Sequence, residues 1–523
     1  MKRYLLMALA LCLTLTATAQ RDDDIDIAQL RKLQMAEMAI ATLYVDTVDQ
    51  TKLVESAIRG MLKDLDPHSA YSTPEETREL NEPLEGNFDG IGISFNMLDD
   101  TVVVIQPVAK GPSERVGIRA GDRIVSVDGL PIAGVKMSRD SIMKKLRGPR
   151  GTRVELGVVR HGVEGSLRFT VVRDKIPMNT LDASYMITPT VGYVHLDRFG
   201  ATTADELRRE LRTLRKAGMR DLILDLELNG GGYLGAAVDV AGEFLNRGDL
   251  IVYTMDRNGR QQTYKAKGGG TFGKGRVVVL VDEFTASAAE IVSGAIQDHD
   301  RGIIVGRRTF GKGLVQRPLP LPDGSMIRLT VSHYYTPSGR CIQKPYVKGD
   351  RTDYDQDMNN RYNHGELTSI DSVRLDSSKV YKTLVKGRTV YGGGGIMPDV
   401  FVPLDTTRYT AYFTALRRLN TMNNAVLQYV DGRRDELKRT YRKFSRFVES
   451  YEVPQSLVDK VIAEAREKKV VPKDSAELAA TLPDLRFTLK ALVAYDVWDR
   501  SEYFQIINTR SDIVAAALRE LEK

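Results

Sequence analysis

The chain has 523 residues, 42% of them hydrophobic and 28% charged, which suits several packed cores and argues against wholesale disorder. Its net charge of +6 is small for this length and its basic residues are spread out, so a nucleic-acid-binding role is not expected. Two cysteines, Cys12 and Cys341, lie far apart with no metal-ligand cluster around them, which argues against a structural zinc site.

Residues 1–19 read as a secretory signal peptide. Lys2 and Arg3 precede the apolar run YLLMALALCLTL, and Ala17-Thr18-Ala19 offers small residues for cleavage before the charged RDDD. The apolar run is shorter than the ~20 residues a stable transmembrane span needs. Export follows, with the periplasm as the expected compartment. Cys341 is then the one cysteine left, and stability must come from the cores without an internal disulfide.

Residues 20–87 form an N-terminal helical region. Apolar residues recur at three- and four-residue spacing from 27 to 64, and Asp66-Pro67-His68 and Thr73-Pro74-Glu75-Glu76 punctuate its end. From 88 to 173 the texture changes to short strands and glycines: GIGISFNM, TVVVIQPV and GPSERVGIRAGDRIVSVDG, then the helix SRDSIMKKLRG and a closing hairpin. Residues 174–403 alternate strand and helix with continuous apolar strands, an α/β pattern with a buried sheet. Residues 404–523 are helical and highly charged, broken near Pro454, Pro472 and Pro483. They suit packing or self-association, and the helical ends make a homodimer an expected partner.

The chemistry gathers in VDEFTASAAE, residues 281–290. Ser287 stands among small residues where a strand gives way to a helix, a suitable place for a nucleophile that needs a base. The nearest of the six histidines, His299, lies twelve residues on. On one helix that separation is ~18 Å, against the roughly 3 Å of proton transfer. Lys312 is the alternative, set between Gly311 and Gly313, with Gln316 four residues later. Burial beside small residues disfavours an ammonium and can make a lysine a base; Gln316 could align the amine without adding charge. Residues 306–312 also read G-x-x-x-x-G-K, the body of a phosphate loop. However, Gly313 stands where Ser or Thr should meet magnesium, and prolines follow in place of a helix. Acyl transfer needs donors for an oxyanion. The amide of Ala288 is one candidate, and the cluster Asn229-Gly230-Gly231-Gly232 supplies others.

TASAAEIVSGAIQDHDRGIIVGRRTFGKGLVQ, with DLELNGGGYLGAA upstream, resembles the core of the carboxyl-terminal processing, or tail-specific, serine proteases. The specific signal is SxxE…GxxTFGKGxVQ with 25 residues from Ser287 to Lys312. The resemblance implies an α/β multidomain fold: a ClpP/crotonase-like protease core with an inserted β-rich PDZ domain and helical N- and C-terminal regions. It also implies Ser287 as nucleophile, Lys312 as general base, Gln316 as the residue orienting the lysine, and the amides of Ala288 and Gly232 as the oxyanion hole. Gly231 is the second choice there, and neither metal nor cofactor is expected. The module 88–173 resembles a PDZ domain. Its Gly90-Ile91-Gly92-Ile93 would receive a peptide's terminal carboxylate and let the tail join the sheet edge, so the expected partners are C-terminal tails of exported or misfolded proteins. One departure stands out: Glu227 occupies the arginine position of the family's DLRxNGGG. A carboxylate facing Lys312 would favour the ammonium, which keeps a catalytically inactive tail-binding scaffold as the alternative.

Overall fold

At the centre lies a six-stranded sheet whose order is Leu181–Met186, Val191–Leu196, Asp221–Asp225, Val277–Val281, Ile303–Gly306 and Val400–Phe401. The first pair is antiparallel and the rest run parallel. VGYVHL and VVVLV are buried at every position, as strands covered on both faces must be. This computed structural model describes residues 26–523, so the signal peptide expected at 1–19 lies outside the described residues.

The two faces of the sheet are covered by different parts of the chain. On one face, Val194, Leu224, Val279 and Ile304 pack with the helices Thr203–Lys216, Leu234–Ala241 and Ala288–Asp298. On the other, Tyr193, Ile223, Val278 and Val305 meet Ile513, Val514, Ala517 and Leu521 of the last helix, Asp512–Glu522. The C-terminal region therefore completes the central core, and its other helices bury a second core around Phe447, Leu485 and Leu489.

A second sheet departs from the strand–helix alternation read in the sequence. Ala70–Ser72, Met326–Tyr335, Leu250–Asp256 and Gln261–Lys265 pair in that order, and Leu314–Pro320 adds to Met326–Tyr335, all antiparallel. Its strands mix buried and exposed positions, so they lack the solid apolar runs of the central sheet. This sheet carries the segment that follows Lys312.

The PDZ-like module is a β-rich unit built around Val104, Ile124, Leu156 and Val171. It leaves the main body through a two-stranded neck, Asn87–Gly90 against Asp174–Pro177. It also touches the C-terminal helices: Leu427 packs with Leu98, Val103 and Ile105, and Arg123 pairs with Asp431 at 2.6 Å. The N-terminal region forms the helices Ile27–Leu43, Gln50–Lys63 and Pro74–Glu85. The last of these starts on a capping box, with Thr73 Oγ1 accepting from the Glu76 amide and the Glu76 carboxylate accepting from the Thr73 amide. None of the described helices is long and apolar enough to cross a membrane.

Candidate active site

Ser287 sits where the strand Val277–Val281 turns into the buried helix Ala288–Asp298. Asp282 organises the turn: one carboxylate oxygen accepts from the amides of Phe284 and Thr285, and both accept from Leu228. The Thr285 hydroxyl reaches the Leu226 carbonyl at 2.8 Å, and the Ala286 amide reaches the Asn229 carbonyl at 2.9 Å. The serine turn is thereby tied to the glycine cluster. Ser287 itself has φ 55°, a conformation that L-residues with a side chain adopt at a cost of about 1–3 kcal/mol and keep when the surroundings enforce it.

Glu290 links this turn to the Lys312 loop. Its side chain has no exposed surface. One oxygen accepts from the amides of Ser287 and Lys312, both at 2.8 Å; the other accepts from the Gly311 amide at 2.7 Å and the Thr309 hydroxyl at 2.5 Å. Burial pushes this carboxyl up and the four donors pull it back. Gly311 and Gly313 are required by close approach. A Cβ on the first would lie 3.0 Å from the Gly395 amide nitrogen, and one on the second 2.7 Å from that of Gln343.

Ser287, Ala288, Lys312, Gln316 and Gly230 to Gly232 all line one cavity of about 460 Å³. The helix Pro74–Glu85 lends Leu80, Pro83 and Leu84 to the same walls. Burial, followed by the charge of Arg328, brings the Lys312 amine down to about 8, while Glu290 and Asp66 oppose that shift. Near it, His68 is pushed down to about 3 by burial and then by Lys312, and its ring bonds the Tyr354 hydroxyl at 2.6 Å. Among the described residues no hydrogen bond joins Lys312 Nζ to Ser287 Oγ; the two share the cavity wall without that contact.

Two expectations change, and the direction of Glu227 is decided. Among the described residues Gln316 makes no hydrogen bond to Lys312: its amide donates to Thr330 Oγ1 at 3.2 Å, and that hydroxyl donates to Asp66 at 2.9 Å. Gly231 has no free amide for an oxyanion, because it donates to Asn229 Oδ1 at 2.9 Å. Its lack of a side chain serves close packing, since a Cβ there would lie 2.8 Å from Ser287 Cβ. The amides of Gly232 and Ala288 have no hydrogen-bond partner among the described residues. Glu227 does not face Lys312. It lines a different cavity with Arg307, Tyr409 and Phe487, and burial with the neighbouring Asp225 and Asp282 charges pushes its carboxyl well up.

His299 caps the far end of the nucleophile helix and bonds the Leu250 carbonyl, so the helix does not break early and the histidine stays remote. The sequence reading gave Glu290, Asp66, His68 and Arg328 no role. For Glu290 a signal existed, because Ser-x-x-Glu before an apolar run is a capping pattern. The other three come from distant segments and have no local signature.

In the PDZ-like module, Ile93–Leu98 is the edge strand of its sheet. Beside it a cleft of about 160 Å³ is lined by Ile91, Gly92, Ile93, Phe95, Met143 and Leu146, with Arg139 and Arg147 also on its wall. The Ile91 carbonyl is held by the Ser113 amide and hydroxyl, and Gly92 has φ 74°, which suits glycine. Gly90, at the end of the neck, is buried. An open edge strand next to a largely apolar cleft rimmed by two arginines can accept an added peptide strand.

Comparison with known proteins gives four family matches: peptidase family S41 over 190–352, a PDZ domain over 90–171, an activating protease CtpB N-terminal domain over 12–77, and a family of unknown function over 412–499. The carboxy-terminal-processing protease of Bartonella bacilliformis is 36% identical over 308 residues, 58% of this chain and 70% of that protein. The carboxy-terminal processing protease CtpB of Bacillus subtilis is 34% identical over 368 residues, 68% of this chain and 74% of that one. A solved PDZ domain of a carboxy-terminal protease from Vibrio cholerae, in complex with peptide, is 32% identical, covers 18% of this chain and 99% of its own, and has a TM-score of 0.17.

Proposed function

The chain belongs to the carboxy-terminal processing proteases, serine-type peptidases of family S41, and from that premise we propose that it cuts with a Ser287–Lys312 dyad on chains held by their C-terminal tails in the PDZ groove. The observation that carries this reading is the Glu290 carboxylate, which accepts from the amides of Ser287 and Lys312 at once and so fixes nucleophile and base relative to each other.

The chemistry follows from the atoms in the cavity. Ser287 Oγ bonds to the scissile carbonyl carbon, its proton passes to the neutral Lys312 amine, and the carbonyl electron pair moves to oxygen. The unpartnered amides of Ala288 and Gly232 receive that oxyanion. On collapse the C–N bond breaks, and the leaving amine takes the proton from Lys312. Water then attacks the acyl carbon, its proton passing to the Lys312 amine; the C–Oγ bond breaks, and Ser287 Oγ takes that proton from Lys312 as the acid product leaves. Gln316 acts one step back, through Thr330 and Asp66 near the lysine. In the groove, the backbone at Gly90-Ile91-Gly92-Ile93 receives the tail's carboxylate and Ile93–Leu98 pairs with its last residues. The Lys2–Ala19 segment supports export and a periplasmic site of action. The exposed Ile27, Leu30, Met35 and Met38 of the first described helix support a homodimer.

Ser287→Ala and Lys312→Met are each expected to lower cleavage of an unfolded protein by at least about 10⁴-fold, with an unchanged melting temperature. Substantial activity in either variant sinks the dyad. Lys312 is a base only when neutral, and its amine is about half neutral near pH 8. kcat/KM should therefore rise with pH through about 8 and drop roughly tenfold for each unit below. A flat profile from about pH 6 to 9 would contradict the lysine's role.

A further inference from the structure

Arginines buried in this molecule are, as a rule, fully partnered. Arg340 has no exposed surface and donates to Asp298, Gln297, Thr336 Oγ1 and the Tyr391 carbonyl. Arg361 donates to Glu366 and to the carbonyls of Thr309 and Arg308. Arg328 differs. It lines the cavity that holds Ser287 and Lys312, its Nε is buried, and that Nε has no hydrogen-bond partner. Among the described residues no hydrogen bond or ion pair engages its guanidinium at all. A buried donor left without a partner lowers stability, so its place in the cavity calls for another reason.

The position is rigid. Arg328 sits mid-strand in Met326–Tyr335, opposite Pro318 on one side and Ala70 on the other, so ladders on both edges fix its backbone. The charged groups around Lys312 come from four segments. Arg328 lies on this strand, Glu290 on the nucleophile helix, and Asp66 and His68 in the turn before Ala70–Ser72, with Lys344 and Arg351 beyond the His68 ring. Arg328 is the cation among them that acts directly on Lys312.

We propose that Arg328 is a functional residue of the active cavity: its unused Nε–H takes an acceptor from the bound peptide, while its guanidinium charge stays in the cavity it shares with the Lys312 amine. The two roles constrain that acceptor. A carboxylate would cancel the field that keeps the amine neutral, whereas a peptide carbonyl satisfies the donor and leaves the charge in force. The subsite beside Arg328 thus takes a backbone carbonyl, and acidic side chains there slow cleavage at neutral pH. This inference rests on the Ser287–Lys312 reading.

The test compares wild type, Arg328→Met and Arg328→Lys by kcat and KM on an unstructured peptide across pH 6 to 10, with Ser287→Ala and Lys312→Met as baselines. Arg328→Met removes charge and donor. Its acid limb should move up by about half to one pH unit, a three- to tenfold loss at pH 7 that is recovered near pH 10, with KM raised. Arg328→Lys keeps the charge and loses the planar donor, so the limb should stay while KM rises several-fold. An unmoved limb in the folded methionine variant overturns the proposal. Should that variant fail to fold, the lysine variant decides: a displaced limb or an unchanged KM overturns it. Activity persisting in the two baseline variants instead sinks the dyad itself, a different failure.

Discussion

The two ends of the helix Ala288–Asp298 handle buried charge in opposite ways. At its C-terminal end Asp298 and Arg340, both without exposed surface, form a 2.7 Å ion pair, and Gln297 adds a second acceptor. At its N-terminal end Glu290 is as deeply buried, yet its carboxylate takes backbone amides and a hydroxyl, and among the described residues no ion pair engages the side chains of Lys312 and Arg328. Paired charge fixes geometry and holds each group in its charged form. A lysine denied a close counterion loses its proton more readily, and that is the condition for a base.

The contrast can be broken at either end, and the largest effect is expected at the paired one. Arg340→Met strands the Asp298 carboxylate in the interior and should destabilise the protein by about 3–5 kcal/mol in denaturant melts, with kcat of the folded fraction unchanged. If stability is unaffected, the Arg340 cluster is not the structural anchor argued here. At the other end, Glu290→Gln keeps the shape but offers one acceptor oxygen where four donors converge. Loosening that clamp should lower kcat by about 10²-fold while KM stays near wild type. A change confined to KM would mean that Glu290 does not position the dyad. The smallest effect is expected where the ion pair is partly exposed. Asp431→Ala, between the PDZ module and the C-terminal helices, should cost no more than about 1 kcal/mol. A much larger loss on calorimetry would show that pair to be a true strut.

The sites differ in how far they could be read from the chain. Ser287 and Lys312 announce themselves because each sits among small residues whose spacing suits tight turns, and the structure brings both to one cavity. The central strands are equally legible, since a strand buried on both faces is written as an unbroken apolar run. The antiparallel sheet behind Lys312 is not, because its half-exposed strands carry mixed residues and pair across long stretches of chain. Gln316 lies four residues from the lysine and the resemblance makes it the lysine's orienting residue, yet its partner Thr330 lies on the neighbouring strand. The direction of Glu227 depended on the residue following a strand, where alternation no longer holds, and it turned toward Arg307.

By itself, then, the sequence determined the fully buried central strands, the periodic helices and which residue types are available for acyl transfer, because periodicity, glycines and small side chains act locally. Tertiary structure alone decided which amides stay free, which cations lack partners, and that the last helix closes the far face of the central sheet. Those outcomes depend on contacts between residues tens to hundreds of positions apart, and the loss of water from a site is a property of the packed whole.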